Sequence, residues 1–361
     1  MSSTTQKTPT TPPLVADESA ASGEMRIKII LSVLFLLALG VFIARLYVGS
    51  SSVGFPTGQS AGTIFKLRVT RLAIGVIVGI ALATSGVALQ ALLRNPLAEP
   101  YILGLSTGAG LGMMIQALFT YATGIIIISN KFGDSFGALI GAAISMFIVF
   151  LAGRRRGMID PLGLLLTGVV LSTINGALIM LVHYILGPGG LREDIARWMM
   201  GYINEGISIE LVYAMGGLTL LGLCALNLSA RSMDIATLSD TEAISLGVSV
   251  HRLRMILFLV ASCLAAGAVA LAGPIAFVGL ICPHIIRTLI GPSHKWLITG
   301  SAMAGATLVV GADTLSALIS HLSLELFHWR IGLLPIGIFT AILGGPVFLW
   351  ILRPQLGKSD A

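Results

Sequence analysis

Residues 85–110 read SGVALQALLRNPLAEPYILGLSTGAG, and in them two apolar runs flank the polar heptad RNPLAEP (94–100). The heptad holds an arginine, a glutamate and two prolines. Pro96 cannot continue a helix and restricts Asn95 to extended conformations, and Pro100 has the same effect on the residue before it. The stretch therefore predicts two membrane-spanning helices that are joined by a tight, rigid turn.

The composition of the whole chain is that of a polytopic membrane protein. Of its 361 residues 55% are hydrophobic and 11% are charged, and the mean hydropathy is +0.95. A soluble domain has about 25% charged residues, and a spanning helix needs roughly 20 apolar residues. The sequence therefore predicts an all-α membrane protein with about ten spans, at residues 27–48, 69–91, 101–122, 134–153, 161–186, 207–228, 252–272, 275–290, 296–318 and 334–352.

The chain is predicted to form one transmembrane domain, residues 26–353, with a short tail at each end. Residues 1–25 are rich in Ser, Thr and Pro and show no apolar period, which predicts a disordered tail; residues 354–361 form the second tail. With the N-terminus inside, 14 of the 22 Lys and Arg residues fall on the inner side and 8 on the outer side. Both tails and the RNPLAEP turn are therefore expected to be cytoplasmic.

Residue types that are missing narrow the function. The chain has no Walker A pattern, so we expect no ATP hydrolysis by that route. Asp313 is the only carboxylate deep in a predicted span, whereas ion-coupled carriers usually need several; it could also serve only to bond neighbouring helices. Cys282 and His284 are too few to form a metal site. We expect no catalytic residues, metal or cofactor, and scattered loop cations argue against nucleic-acid binding.

Long segments of the chain resemble the FecCD-type permeases, the membrane subunits of ABC importers for iron–siderophore complexes, heme and cobalamin. RVTRLAIGVIVGIALATSGVALQALLRNPLAEPYILGLSTGAGLG (68–112) resembles their first conserved block, and LAGPIAFVGLICPHIIRTLIGPSHKW (271–296) resembles the second. LPIGIFTAILGGPVFLWIL (334–352) is similar to their C-terminal span. ISLGVSVHRLR (244–254) is similar to the segment around their ATPase-coupling helix. The likeness covers about residues 26–353 in order.

The resemblance implies a type II ABC importer permease in a bacterial or archaeal cytoplasmic membrane. Its expected partners are cytoplasmic ABC ATPase subunits, a periplasmic or lipid-anchored substrate-binding protein, and a second permease copy or a paralogue that completes a dimer. The expected cargo is a metal chelate, first an iron–siderophore complex, with heme and cobalamin open. The alternative is a stand-alone secondary transporter. A third class, an intramembrane enzyme, would need a cluster of acids and histidines that the sequence lacks.

The resemblance also assigns roles to residues on the predicted cytoplasmic side. Asn95 and Leu97, with Pro96 between them, match a cytoplasmic gate, although a tight turn without gating is the alternative. Residues 229–251 match the ATPase-coupling segment. There a short helix is expected from Thr241 to about Leu246, capped by Ser239 or Asp240 and ended by a glycine. The coupling residues are expected to be Asp240, Thr241, Ala243, Leu246 and Gly247.

Three arginines are candidates for docking the substrate-binding protein. Arg68 and Arg71 match an outer arginine pair of the family, and guanidinium groups bind carboxylates bidentately; snorkelling to lipid headgroups is the alternative. The segment SHLSLELFHWRIGL (320–333) looks longer than in the family. Within it Arg330 is expected to replace an outer arginine that this chain lacks, unless it serves with Trp329 as an interfacial anchor.

Overall fold

The structure of the chain is a computed structural model. It describes residues 15–49, 52–124, 135–155, 158–187, 193–204, 206–329 and 331–356. Arg330 and the ends of both predicted tails, residues 1–14 and 357–361, lie outside these ranges. Within the ranges the chain forms twelve α-helices: α1 Val15–Tyr47, α2 Ala61–Leu93, α3 Leu105–Thr123, α4 Ser135–Ala152, α5 Pro161–Leu186, α6 Glu193–Met199, α7 Ile209–Ile235, α8 Asp240–Ser245, α9 Val250–Ala272, α10 Val278–Ile290, α11 His294–Phe327 and α12 Ile336–Leu356.

Two smaller elements connect the helices. A 3-10 helix, Pro100–Leu103, precedes α3. The strands β1 (Arg154–Arg155) and β2 (Met158–Ile159) pair antiparallel between α4 and α5, with Arg154 opposite Ile159. An isolated antiparallel bridge joins Val48 and Val53, and the other regular structure in the described ranges is helical.

The helices confirm an all-α polytopic membrane protein with about ten spans. Seven of them, α1, α2, α4, α5, α7, α9 and α11, are long and apolar enough to cross a membrane, and α10 and α12 contain shorter apolar helices. The remaining predicted span, residues 101–122, corresponds to α3, whose 19 residues extend about 28 Å at 1.5 Å per residue. Each of the ten overlaps its predicted range.

Several helix boundaries differ from the predicted ones; for example, α2 begins at Ala61 instead of residue 69, and α7 ends at Ile235 instead of residue 228. Helix α1 begins at Val15, inside the tail that was expected to be disordered, because VADESAASGE has three alanines and no proline to interrupt a helix. Helix α11 continues to Phe327, well past the predicted end at residue 318. Helix α12 continues to Leu356, into the predicted C-terminal tail. The seven-residue helix α6 was not predicted, since it is too short to show a period.

Helix α2 lies at the centre of the bundle and packs against α7, α9, α10 and α11. Glycines permit the closest crossings, since a Cβ at Gly79 would overlap the backbone of Gly305, and one at Gly86 would overlap the carbonyl of Gly279. Helices α3 and α4 cross in the same way through Gly108, Gly112 and Gly141. Small residues at such contacts let membrane helices approach backbone to backbone.

The connections between spans lie at two ends of the bundle. The "α8 end" holds the α2–α3 turn, the β-hairpin, the segment around α8 and the α10–α11 turn. Four side-chain contacts join these connections: Arg94–Asp240, Arg254–Asp240, Arg254–Ile159 and His294–Asp234. The "opposite end" holds the α1–α2 loop, the α6 segment and the α11–α12 loop. Which end faces the cytoplasm stays a prediction from the distribution of Lys and Arg.

Candidate functional site

The turn after α2 is built by Asn95. Helix α2 is capped by Arg94, whose N–H donates to the carbonyl of Gln90. The side-chain oxygen of Asn95 accepts a hydrogen bond from the N–H of Leu97 at 2.9 Å, and its carbonyl accepts from Ala98 at 3.1 Å. Asn95 and Leu97 are half-buried and Pro96 is exposed. These bonds make residues 95–97, called the gate turn below, a rigid turn with a surface that a partner could reach.

After the gate turn the chain returns into the bundle and bonds to the α9–α10 connection. The N–H of Phe277 donates to the Glu99 carboxylate, and the N–H of Ile275 donates to the Tyr101 hydroxyl at 2.8 Å. Phe277 has a positive φ of 69°, which is unfavourable for a bulky side chain. The heptad 94–100 therefore orders the start of α10 as well as the turn between α2 and α3.

Helix α8 forms with the cap that the sequence offered. The Ser239 hydroxyl accepts from the N–H of Glu242, and the Glu242 carboxylate accepts from the N–H of Ser239 at 2.9 Å, which is a capping box. The Ser239 hydroxyl also donates to the Glu242 carboxylate at 2.6 Å, and this bond together with the one from the Ser239 N–H holds the pKa of Glu242 below its usual value. Gly247 follows the helix with a φ of 85°. The cap is thus Ser239, and the helix begins at Asp240 rather than at Thr241.

The five predicted coupling residues occupy different environments. Thr241, Leu246 and Gly247 are exposed, and Leu246 has 60% of its surface accessible. Ala243 is fully buried and packs α8 onto the bundle, so a role for it in coupling would be to position α8 and not to contact a partner. Asp240 is half-exposed and bonded to two arginines. Sequence reasoning missed Ile244, which is 61% exposed and extends the apolar surface of Leu246.

The two arginines predicted to dock a partner are buried, and that prediction is corrected here. Arg71 is 1% exposed and donates from Nε to Asp313 Oδ1 at 2.9 Å and from Nη1 to the Ile203 carbonyl at 2.8 Å. Arg68 is 5% exposed, and its guanidinium donates to the carbonyls of Leu46, Tyr47, Ser52 and Gly54. Neither side chain is available to a protein partner or to lipid headgroups.

Arg45 completes a buried ion cluster that the sequence reasoning did not find. Its Nε donates to Asp313 Oδ2, and its Nη1 donates to the Val48 carbonyl at 2.9 Å. Asp313 on α11 therefore bonds both Arg45 on α1 and Arg71 on α2, which supports the structural interpretation of this carboxylate. The sequence did contain a signal for this cluster. Arg45 lies within a predicted span, where a charged side chain requires a partner, and Asp313 was the only carboxylate deep in a predicted span.

A polar cavity of about 220 Å³ lies behind the gate turn. Its lining includes Arg94, Asn95, Pro96, Arg287 and His294. In the part of the chain that the structure describes, no group of three or more His, Cys, Asp or Glu residues could hold a metal ion. The features at the α8 end are therefore a rigid turn, a capped helix with an apolar tip, and ionic contacts between them.

Residues 28–354 match the model of the FecCD transport family. The chain belongs to this family. It is 34% identical over 345 residues to the hemin transport system permease protein HmuU of Yersinia pestis, covering 92% of this chain and 98% of the relative. It is 36% identical over 329 residues to the vitamin B12 import system permease protein BtuC of Vibrio vulnificus, covering 89% and 93%.

A solved structure described as an inward-facing metal-chelate type ABC transporter superposes on this FecCD protein with a TM-score of 0.75. The two are 28% identical, and the match covers 91% of this chain and 99% of the other. The chain is therefore a multi-pass ABC transporter permease with the type II importer fold. Arg330 lies outside the described residues, so its docking role stays a prediction.

Proposed function

We propose that the chain is the membrane-spanning subunit of an ATP-driven importer that moves a metal chelate from a substrate-binding protein into the cytoplasm. Its partners are two cytoplasmic ABC ATPase subunits, a substrate-binding protein and a second permease copy or paralogue. Family membership supports the permease class, while the energy source, the partners and the cargo are part of the proposal. ATP hydrolysis belongs to the partner subunits, since this chain carries no Walker A pattern.

The observation that carries the proposal is the form of α8. A six-residue helix is too short to be stable alone, yet here it has a capping box, a buried Ala243 and a terminal Gly247. Its free tip presents Ile244 and Leu246, large apolar side chains that are mostly exposed. Such a rigid apolar knob is suited to a cleft on an ATPase subunit, where burial of the two side chains would stabilise the contact.

The energy source is tested in proteoliposomes that contain the permease, its ATPase subunits and the loaded substrate-binding protein. We expect uptake to require enclosed ATP and the binding protein, and to persist when an ionophore collapses the ion gradients. The matched control is the same preparation with a non-hydrolysable ATP analogue. Uptake that continues without ATP and stops with the ionophore would instead establish a secondary transporter.

The cargo is proposed to be an iron–siderophore complex, with heme and cobalamin as the alternatives. Relatives are named for hemin and for vitamin B12, and both compounds are large metal chelates. The sparse charge within the spans is suited to a passage that binds such cargo weakly. Binding of a ferric siderophore, hemin and cobalamin to the partner substrate-binding protein should be compared, and retention of only hemin or only cobalamin would replace the proposed cargo.

A further inference from the structure

Asp240 joins α8 to the gate turn through an arginine to which neither the sequence resemblance nor the comparisons give a role. Arg94 Nη2 lies 2.5 Å from Asp240 Oδ1, and Arg254 Nη2 lies 2.9 Å from Asp240 Oδ2. Arg94 immediately precedes Asn95, and Arg254 lies in the first half of α9. A single carboxylate at the start of α8 therefore holds two cations from two other helices.

Each of the two arginines also bonds to a further connection of the bundle. Arg94 Nη2 donates to the Ala236 carbonyl at the end of α7, at 3.0 Å. Arg254 Nη1 donates to the Ile159 carbonyl on β2, at 3.5 Å. The start of α8 is thereby connected to the ends of α2 and α7 and to the β-hairpin between α4 and α5.

The backbone of Arg94 indicates that its side chain is needed at this position. Arg94 has a left-handed conformation, with φ 48° and ψ 36°, which is unfavourable for a residue other than glycine. Helices commonly place glycine at this point. An exposed ion pair usually contributes less to stability than such a backbone conformation costs, so the Arg94–Asp240 pair does not offset the strain through stability. The position of the ion pair, between α8 and the gate turn, offers a better explanation for an arginine at residue 94.

The gate turn has space into which it could move. The lining of the polar cavity of about 220 Å³ includes Arg94, Asn95 and Pro96 as well as Arg287 and His294. A shift of Arg94 would therefore change the gate turn without first opening the packed core around α2.

We propose that Arg94 is a positioning residue that holds α8 to the gate turn through Asp240, while Arg254 holds the same carboxylate from α9, so that a displacement of α8 moves residues 95–97. The physical link depends only on these contacts. Its use by an ATPase subunit to open the passage rests on the proposed function.

The link is tested by amide hydrogen exchange of Asn95, Leu97 and Ala98, the residues of segment 95–98 that carry an N–H, in the full-length chain in lipid nanodiscs. Asp240→Asn and Arg94→Gly should each raise exchange there roughly two- to fivefold, the range expected for the loss of one exposed ion pair. Arg94→Gly is the sharper variant, because glycine adopts this backbone conformation without strain and the turn should still form. Asp240→Glu should stay near the parent rate.

The matched control is Arg252→Gln, which removes an exposed cation two residues before Arg254. It should leave exchange at residues 95–98 unchanged. If Asp240→Asn and Arg94→Gly also leave it unchanged in folded protein, α8 and the gate turn are not linked and the inference is wrong.

A second measurement separates this inference from the proposed function. In the complete transporter, Arg94→Gly should raise the number of ATP molecules hydrolysed per chelate imported several-fold, while Arg252→Gln should not. An unchanged ratio would overturn the role of the link in coupling. Absence of ATP-dependent uptake in the parent complex would overturn the proposed function, and the exchange rates would still decide whether the link exists.

Discussion

At the scale of single residues, burial determines which arginines are structural. Arg68 and Arg71 have the residue type and the position expected of a docking pair, but carbonyl groups and Asp313 occupy their donors. Arg45, which no motif marked, pairs with the same carboxylate. An arginine can bind any carboxylate, so residue type alone does not say whether its partner is internal or external. In the folded chain Asp313 is the internal partner of both Arg45 and Arg71.

Replacement of Asp313 should destabilise the protein strongly. Asp313→Asn would leave Arg45 and Arg71 buried without a counter-charge, and removing one partner of a buried ion pair typically costs about 3–5 kcal/mol. We expect a large fall in the thermal unfolding midpoint in detergent. The control is Glu24→Gln, which breaks the exposed pair with Lys28 at 3.8 Å and should change the midpoint little. Equal midpoints for the two variants would show that the cluster does not support the fold.

At the scale of elements, the sequence predicted best those helices whose ends carry local signals. Helix α5 was placed correctly at Pro161–Leu186, because a proline opens it and Gly187 follows its last residue. The end of α11 was missed, since SHLSLELF continues the helix without a stop signal. The cap of α8 is a local feature and was predicted as Ser239 or Asp240. The ion pairs of Asp240 join residues up to 146 positions apart, and they depend on packing that the local sequence does not specify.

Acid should weaken the cap of α8. Hydrogen bonds from the hydroxyl and N–H of Ser239 lower the pKa of Glu242 in the folded chain. The stabilisation is therefore complete above the ordinary carboxyl pKa and is lost as the pH falls through the lowered value. Amide exchange of residues 242–246, corrected for the intrinsic pH dependence, should rise across that interval. Ser239→Ala should raise exchange at neutral pH and flatten the pH dependence, and an unaltered profile would contradict the capping role.

At the scale of the whole molecule, the number of spans follows from composition, whereas a passage between two permease subunits is part of the proposed function. Long apolar runs suffice to predict about ten spans, because a membrane imposes their length. A passage between subunits depends instead on the partner surface, on which a single chain gives no direct observation. The gate turn is the part of this chain for which such a contact can be tested directly.

A gate formed by two copies requires residue 97 of each copy to approach the other closely. In a Cys224→Ser background, which removes the exposed native thiol, Leu97→Cys should form a disulfide across the dimer on oxidation, since this needs Cα atoms within about 7 Å. Chelate uptake should then stop and return on reduction. The same oxidant should not affect the Cys224→Ser chain. A passage that closes at this residue cannot transport while its two halves are covalently joined. Failure of the disulfide to form, or uptake that survives it, would therefore exclude a gate at Leu97 and leave the gate turn with a structural role.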